Sequence, residues 1–352
     1  MKLVFVIPSL GAGGAERVAT ILINFFVEHK GVEVDLVLIN ESVDFYKINN
    51  KINVYRLGYS NGGGKFFKFL NLLKALFKLR KILKHNKNST VVSFIREANI
   101  FTLLSSSFLN LKIFISERDS PDVIVHPVYK FLRKILYPKA TSIICQTSEY
   151  ENFILSEVKA RNSIVIPNPV RYVDINSQKK EKIILCVGRL IPSKNHIDIL
   201  KMFQKIQDRT WKLVILGDGI LRSNLEQAAE KLGISNRVEF LGSVKNVDYW
   251  LNKSSIFVSV SLSEGFPNSL LEAMAAGVPA VSYNCRCGPS DIIQDGVNGF
   301  LIVSGDLEAL TIQVEKLMSS ETLRKAISER ALNVREFYSE KRISELYFNE
   351  FF

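Results

Sequence analysis

Short runs of β-branched and other apolar residues alternate along the chain with longer stretches whose apolar positions recur at the helical spacing of three and four, and this alternation occurs in two successive series. The first series predicts strands near residues 3–7, 34–39, 52–57, 90–94, 112–115, 142–145 and 164–166. After Pro167-Asn168-Pro169 the pattern breaks into a polar stretch over residues 174–182. A second series follows, with strands predicted near residues 183–187, 213–216, 238–240, 256–260, 280–283 and 300–303. Strands that alternate with crossover helices pair in parallel, so the expectation is an α/β protein with two doubly wound parallel-sheet domains, over residues 1–172 and 173–335. The remaining residues, 336–352, read as one more helix, and its aromatic residues Phe337, Tyr338, Tyr347, Phe348, Phe351 and Phe352 must be buried, most simply on the first domain.

Composition narrows the class without changing this picture. At 352 residues, with 47% hydrophobic and 23% charged, the chain has material for two cores and is neither disordered nor collagen-like. Four cysteines cannot staple so long a chain, and Cys285-Arg286-Cys287 lacks the spacing and the second ligand pair of a zinc site, so they read as reduced thiols. The apolar run before Pro8 is too short for a signal-peptide core, and no stretch is long and uncharged enough to span a bilayer. The expectation is a cytoplasmic protein.

The net charge of +11 has one source. From Asp44 to Glu97 no acidic residue intervenes, while Lys and Arg occur twelve times, so the rest of the chain is close to neutral. At the centre of this segment, Lys65, Lys68, Asn71, Lys74, Lys78, Lys81 and His85 fall on one stripe of a helix over 65–84, with Phe66, Phe69, Leu70, Leu73, Phe77 and Leu79 among the residues filling the other arc. A half-buried helix with a solvated Lys stripe fits this pattern. So does a helix lying in an anionic lipid surface, which the unbroken positive charge and the Phe66-Phe67 pair beside Phe69 favour. Nucleic acid is the poorer partner, because the aromatics are not interleaved with the cations as base stacking requires.

Three segments could carry chemistry. The Gly11-Ala12-Gly13-Gly14-Ala15-Glu16 loop follows the first strand and opens a helix, where free N–H groups favour an anion. It superficially resembles a dinucleotide fingerprint, but Glu16 stands where the third glycine would be needed, which leaves an oxidoreductase as a remote alternative. Gly188-Arg189-Leu190 with Lys194-Asn195 repeats that placement in the second series, and a planar guanidinium beside a mobile ammonium suits a diphosphate. In Ser263-Glu264-Gly265-Phe266-Pro267-Asn268-Ser269-Leu270-Leu271-Glu272, a strand end, a turn and a helix start lie between two glutamates. Glu272 also completes a capping-box pattern with Ser269, which leaves a purely structural role open.

Together these motifs, with Gly217-Asp218-Gly219, Leu241-Gly242-Ser243-Val244 and Asp295-Gly296-Val297-Asn298-Gly299-Phe300, resemble the retaining glycosyltransferases of family four, which have the GT-B fold of two Rossmann-like domains facing across a cleft. The resemblance spans essentially the whole chain. It implies that Arg189 and Lys194 hold the donor diphosphate and, with Glu264, form the catalytic group. It further implies that Glu272 holds the ribose, Glu264 the sugar hydroxyls and Val244 the base, with Gly13, Gly14, Gly188, Phe266, Pro267 and Asn268 lining the donor. Many members have a histidine after the fifth strand, where this chain has Ser116-Glu117-Arg118-Asp119; Pro267 replaces a widespread glycine. That version, and Ser93-Phe94-Ile95-Arg96-Glu97-Ala98-Asn99, resemble members that extend lipid-linked oligosaccharides in bacterial surface-glycan or glycoprotein-glycan assembly. The acceptor-side candidates are Glu16, Arg96, Asn99, Glu117 and Arg118.

The implied activity is transfer of a hexose or N-acetylhexosamine from a UDP-sugar to a polyprenyl-diphosphate-linked glycan, at the inner face of the cell membrane, with Lys65, Lys68, Lys74, Lys78 and Lys81 on an anionic membrane surface. The chain contains no Asp-x-Asp sequence, so no metal and no cofactor are expected, and nucleic acid is not an expected partner. A nucleotide-sugar epimerase and a non-catalytic membrane-surface protein are the alternatives.

Overall fold

The computed structural model describes residues 1–11, 13–41, 43–60, 62, 64–175 and 180–352. The chain forms two compact units, one of Met1–Pro169 with Glu340–Phe352 and the other of Val170–Ser339.

The first unit has seven strands: β1 (Lys2–Ile7), β2 (Glu33–Asn40), β3 (Asn53–Tyr59), β4 (Thr90–Phe94), β5 (Lys112–Ser116), β6 (Ser142–Cys145) and β7 (Ser163–Val165). They form one sheet in the order β3-β2-β1-β4-β5-β6-β7, and every pairing is parallel. Strand order reverses between β1 and β4, which makes the loops at their C-terminal ends the place for a ligand. β1 reads as a continuous apolar run because both of its faces are covered. On one face Leu3, Phe5 and Ile7 share a core with Val18, Leu22 and Phe26 of the helix Gly14–Lys30 and with Ile343, Tyr347 and Phe351.

Those last three residues belong to the helix Glu340–Phe351, so Tyr347 and Phe351 are buried in the first unit, whereas Phe337 and Phe352, also expected to be buried, are exposed. The stretch expected as a single helix over 336–352 is nevertheless two elements. Val334–Phe337 forms a separate short helix in the second unit, where Val334 shares a core with Val170 and Val173. Val170 N–H donates to Tyr338 O at 2.7 Å, and Val170 bridges to Ser339. These contacts move the division from 172 to Pro169 and place 336–339 with the second unit.

The second unit contains β8 (Glu181–Val187), β9 (Lys212–Leu216), β10 (Val238–Gly242), β11 (Ser254–Ser259), β12 (Ala280–Asn284) and β13 (Phe300–Val303), in the parallel order β10-β9-β8-β11-β12-β13. Its reversal lies between β8 and β11. The β8 and β9 ends approach closely: Gly188 N–H donates to Leu216 O at 2.9 Å, and a Cβ on Gly217, at φ 131°, would stand 2.0 Å from Gly188 O. Only glycine fits there. No described helix is long and apolar enough to cross a membrane.

Candidate active site

In the second unit the side chains expected to carry chemistry collect at the C-terminal ends of β8 and β11, on either side of the strand-order reversal. After β8 the chain turns through Pro192–Lys194 and enters the helix His196–Lys205; Asn195, in the left-handed region at φ 50°, makes the junction. Leu262 N–H donates to Ser193 O at 2.9 Å, which ties this loop to the one after β11. The tie brings Lys194 against Glu264, and the ammonium donates to Glu264 Oε1. Arg189 behaves differently. Its side chain is exposed and makes no ion pair with a described residue, so its five donors remain available to an anion.

Glu272 lies on the helix Asn268–Ala275, whose N-cap is Pro267. The helix begins before Ser269, so Ser269 and Glu272 are not in capping-box register. The Glu272 carboxylate instead accepts from Arg171 Nε at 3.1 Å, and the same guanidinium is paired with Asp248. Burial pulls the Arg171 pKa down, but Asp248 and Glu272 outweigh it and hold the pKa above the ordinary arginine value. Pro267 packs against Gly288: at φ 98° a Cβ on Gly288 would stand 2.2 Å from Pro267 Cδ. Phe266 is buried with its ring centroid 6.1 Å from that of Tyr338, and Val244, after β10, packs against the same core.

Two participants were not anticipated. Arg171 lies between Pro169 and the polar stretch over residues 174–182, and its nearest signal is that it is a lone cation directly after an apolar residue. His196 is buried, and neither of its ring nitrogens has a hydrogen-bond partner. A Cβ on Gly188 would lie 3.9 Å from His196 Nε2, so the ring faces the β8 turn. Burial, and then the Lys194 charge, push the imidazole down to about 4, and it is neutral at pH 7. The four cysteines are buried, and burial drives the Cys186 and Cys285 thiols up to about 12.

In the first unit the residues at the corresponding edge divide into exposed and internal groups. A Cβ on Gly13 would stand 1.9 Å from Glu16 Oε2, so the glycine makes room for a carboxylate at the start of its own helix, where the helix dipole stabilises it. Glu117 is fully buried, accepts from the Tyr137 hydroxyl and, at 3.0 Å, from that of Tyr150, and its pKa is raised by burial against the opposing charge of Arg96. Asn99 is spent on Ser93 Oγ at 2.8 Å, Ser116 O at 3.1 Å and the Tyr137 hydroxyl at 3.3 Å. Arg118 donates to Asn168 and, at 2.7 Å, to the Tyr347 hydroxyl, stacked 3.8 Å from the Phe94 ring centroid. These three hold the unit together. Arg96 is the bridge outward: Nε is 3.8 Å from Glu117 Oε2, and its terminal nitrogen pairs with the half-exposed Asp119. Ile95 before it has φ 76°, a costly conformation for a β-branched residue and one typical of functional loops.

The helix Lys65–His85 buries Ala75, Leu79 and Leu83. Phe66, Phe69 and Phe77, which the helical pattern assigns to the apolar arc, are exposed instead, as is Phe67. Lys68, Lys74 and Lys81 are exposed, Lys78 donates to Leu57 O at 3.0 Å, and the Lys65 side chain lies outside the described residues.

Residues 173–334 match the family model of group 1 glycosyl transferases. Over 342 residues, 94% of this chain and 92% of the other, the chain is 31% identical to a Campylobacter jejuni enzyme, the GalNAc-alpha-(1->4)-GalNAc-alpha-(1->3)-diNAcBac-PP-undecaprenol alpha-1,4-N-acetyl-D-galactosaminyltransferase. The chain belongs to glycosyltransferase family four. A second C. jejuni relative of this glycosyltransferase, an N-acetylgalactosamine-N,N'-diacetylbacillosaminyl-diphospho-undecaprenol 4-alpha-N-acetylgalactosaminyltransferase, is 28% identical, covering 94% of this chain and 93% of the relative. The crystal structure of Anabaena HepE in complex with UDP shares the fold, with a TM-score of 0.80 at 17% identity and 99% coverage of both chains. The two parallel-sheet units are those of the GT-B fold.

Proposed function

We propose that this glycosyltransferase moves a hexose or N-acetylhexosamine from a UDP-sugar, with retention, to a polyprenyl-diphosphate-linked glycan in bacterial surface-polysaccharide or glycoprotein-glycan assembly. The observation that carries the reading is the Lys194–Glu264 pair at the strand-order reversal, with Arg189, exposed and in no ion pair with a described residue, on the same loop after β8, in a chain 31% identical to an enzyme named for an undecaprenyl-diphosphate acceptor. Arg189 and Lys194 stabilise the charge that builds on the departing UDP as the sugar becomes oxocarbenium-like. Glu264, paired with Lys194, is released to the sugar hydroxyls when the diphosphate takes the ammonium. The acceptor hydroxyl enters on the face the UDP leaves, and its proton passes to the departing phosphate, so no side-chain base is needed. Glu272, fixed by Arg171, receives the ribose hydroxyls, and Val244 borders the base.

In this reading the reaction needs neither metal nor cofactor, since the cations do the work of a divalent ion. The protein works at the inner face of the membrane, where the exposed Phe66, Phe67 and Phe69 and the Lys68, Lys74 and Lys81 side chains of the helix Lys65–His85 meet anionic lipid. Incubating the purified protein with UDP-sugars, with and without extracted polyprenyl-linked glycans, tests it. Acceptor-dependent release of UDP is expected, whereas isomerisation of the donor with no acceptor present would identify an epimerase.

A further inference from the structure

The helix Pro127–Leu136 buries Leu136 together with a charged side chain and leaves other apolar residues facing outward. Its inward face carries Arg133, which is buried, donates to Glu157 Oε2 at 3.1 Å and stands 4.0 Å from Glu117 Oε2. Outward it presents Val128, Phe131 and Ile135, exposed to 56%, 63% and 47%. Ile124, in the loop that leads into the helix, is 97% exposed. Within the helix, positions 128, 131 and 135 have the three-four spacing that normally marks the buried stripe of a surface helix, and here that stripe faces water, with Ile124 exposed in the loop before it. Lys130 and Lys134 flank it, both exposed.

This helix and the helix Lys65–His85 both pack on the helix Arg96–Ser105 between them. Right-handed crossovers from β3 to β4, β4 to β5 and β5 to β6 put all three on one face of the sheet. The first turns of the two flanking helices follow β3 and β5, so Phe66 and Phe67 on one and Ile124 and Val128 on the other lie toward the C-terminal edge of the sheet, the edge that carries Arg96 and Asp119.

We propose that the helix Pro127–Leu136 and its leading loop are a second bilayer-inserting element, and that they dock the first unit on an anionic lipid surface together with the helix Lys65–His85. The proposal rests on the reading that the acceptor is lipid-linked. A lipid surface fits better than a second copy of the chain. Aromatic and aliphatic side chains interspersed with lysines match a headgroup boundary, while a second copy would set one acid-free basic segment against another. Two inserted elements also fix the tilt of the unit, so that its ligand-facing edge meets a head group at the bilayer surface.

The test uses the full chain and sedimentation with vesicles of phosphatidylcholine alone or mixed with phosphatidylglycerol. The triple variant Ile124→Ser, Val128→Ser, Phe131→Ser should lower partitioning onto the mixed vesicles about tenfold or more. Its melting temperature and its turnover on a short-chain soluble acceptor should stay unchanged, since all three side chains are exposed. Lys130→Glu with Lys134→Glu should weaken binding most at low salt. Unchanged partitioning in the triple variant would overturn the proposal. So would a wild-type dimer in solution that the triple variant dissociates, because the stripe would then be a protein interface. Vesicle binding that depends on these residues, in a protein that transfers no sugar to any lipid-linked acceptor, would uphold the docking surface and remove the proposed function instead.

Discussion

Arg171 Nε donates to Glu272 Oε2 at 3.1 Å, and the same guanidinium is paired with Asp248. Glu272 is therefore held from outside its own helix, by a residue 101 positions earlier. If the carboxylate binds the donor as proposed, Glu272→Ala should lower transfer by about 10²-fold or more while the melting temperature changes little, because charge-assisted bonds to the donor are lost. Arg171→Ala should raise KM for the donor with a smaller change in kcat, since it acts through Glu272. A Glu272→Ala enzyme with full turnover and a lowered melting temperature would mean that the carboxylate serves the fold alone.

The Lys194–Glu264 pair predicts non-additivity. Lys194→Ala leaves a buried carboxylate unpaired and removes the proposed diphosphate contact, and should cost about 10²-fold in rate. If the two side chains act as one unit, the double variant with Glu264→Ala loses little more than the worse single variant. Rates of the four proteins measure this, and losses that simply multiply would show that the pairing has no role in turnover.

Much of the fold was legible in the sequence because buried parallel strands are short, β-branched and bounded by turn residues, as in the run from Leu3 to Ile7 before Pro8. The break at Tyr338-Ser339 was not legible. Aromatics continue across it, and long-range contacts such as the bond from Val170 to Tyr338 O assign the earlier ones to the second unit. At the site, the Lys194 and Glu264 motifs were visible as strand-end loops, but their pairing depends on the Ser193–Leu262 bond between segments far apart in sequence. Glu272 fitted a capping box by local spacing; the helix start at Asn268 and Arg171 decide otherwise. The exposed Phe66, Phe69 and Phe77 show the same limit, since helical periodicity separates two faces without saying which of them another element covers.

His196 gives a pH signature in stability. Its pKa in the folded chain is lowered from 6.5 to about 4, so between those values the unfolded chain binds the extra proton. Stability from this group is full above pH 6.5 and is lost as pH falls toward 4, by up to about 3 kcal/mol. Urea midpoints at pH 7 and pH 5 should differ more for the wild type than for His196→Gln, and identical differences would contradict a buried neutral imidazole.

Metal independence is the next expectation. The sequence has no Asp-x-Asp, and among the described residues no group of three His, Cys, Asp or Glu side chains is gathered to hold an ion. Turnover should persist in excess EDTA. Loss of activity that Mg²⁺ or Mn²⁺ restores would mean that a divalent ion shares the diphosphate with Arg189 and Lys194.

The central claim is tested most directly by the product itself. Purified protein is incubated with a panel of UDP-sugars and extracted polyprenyl-diphosphate-linked glycans, and the product is analysed by mass and by the anomeric configuration of the new linkage. The account predicts a mass gain of hexose or N-acetylhexosamine units on the lipid-linked glycan, from one UDP-sugar, with the donor's anomeric configuration retained and UDP released. An inverted linkage, or a donor consumed without any gain on the glycan, would contradict it.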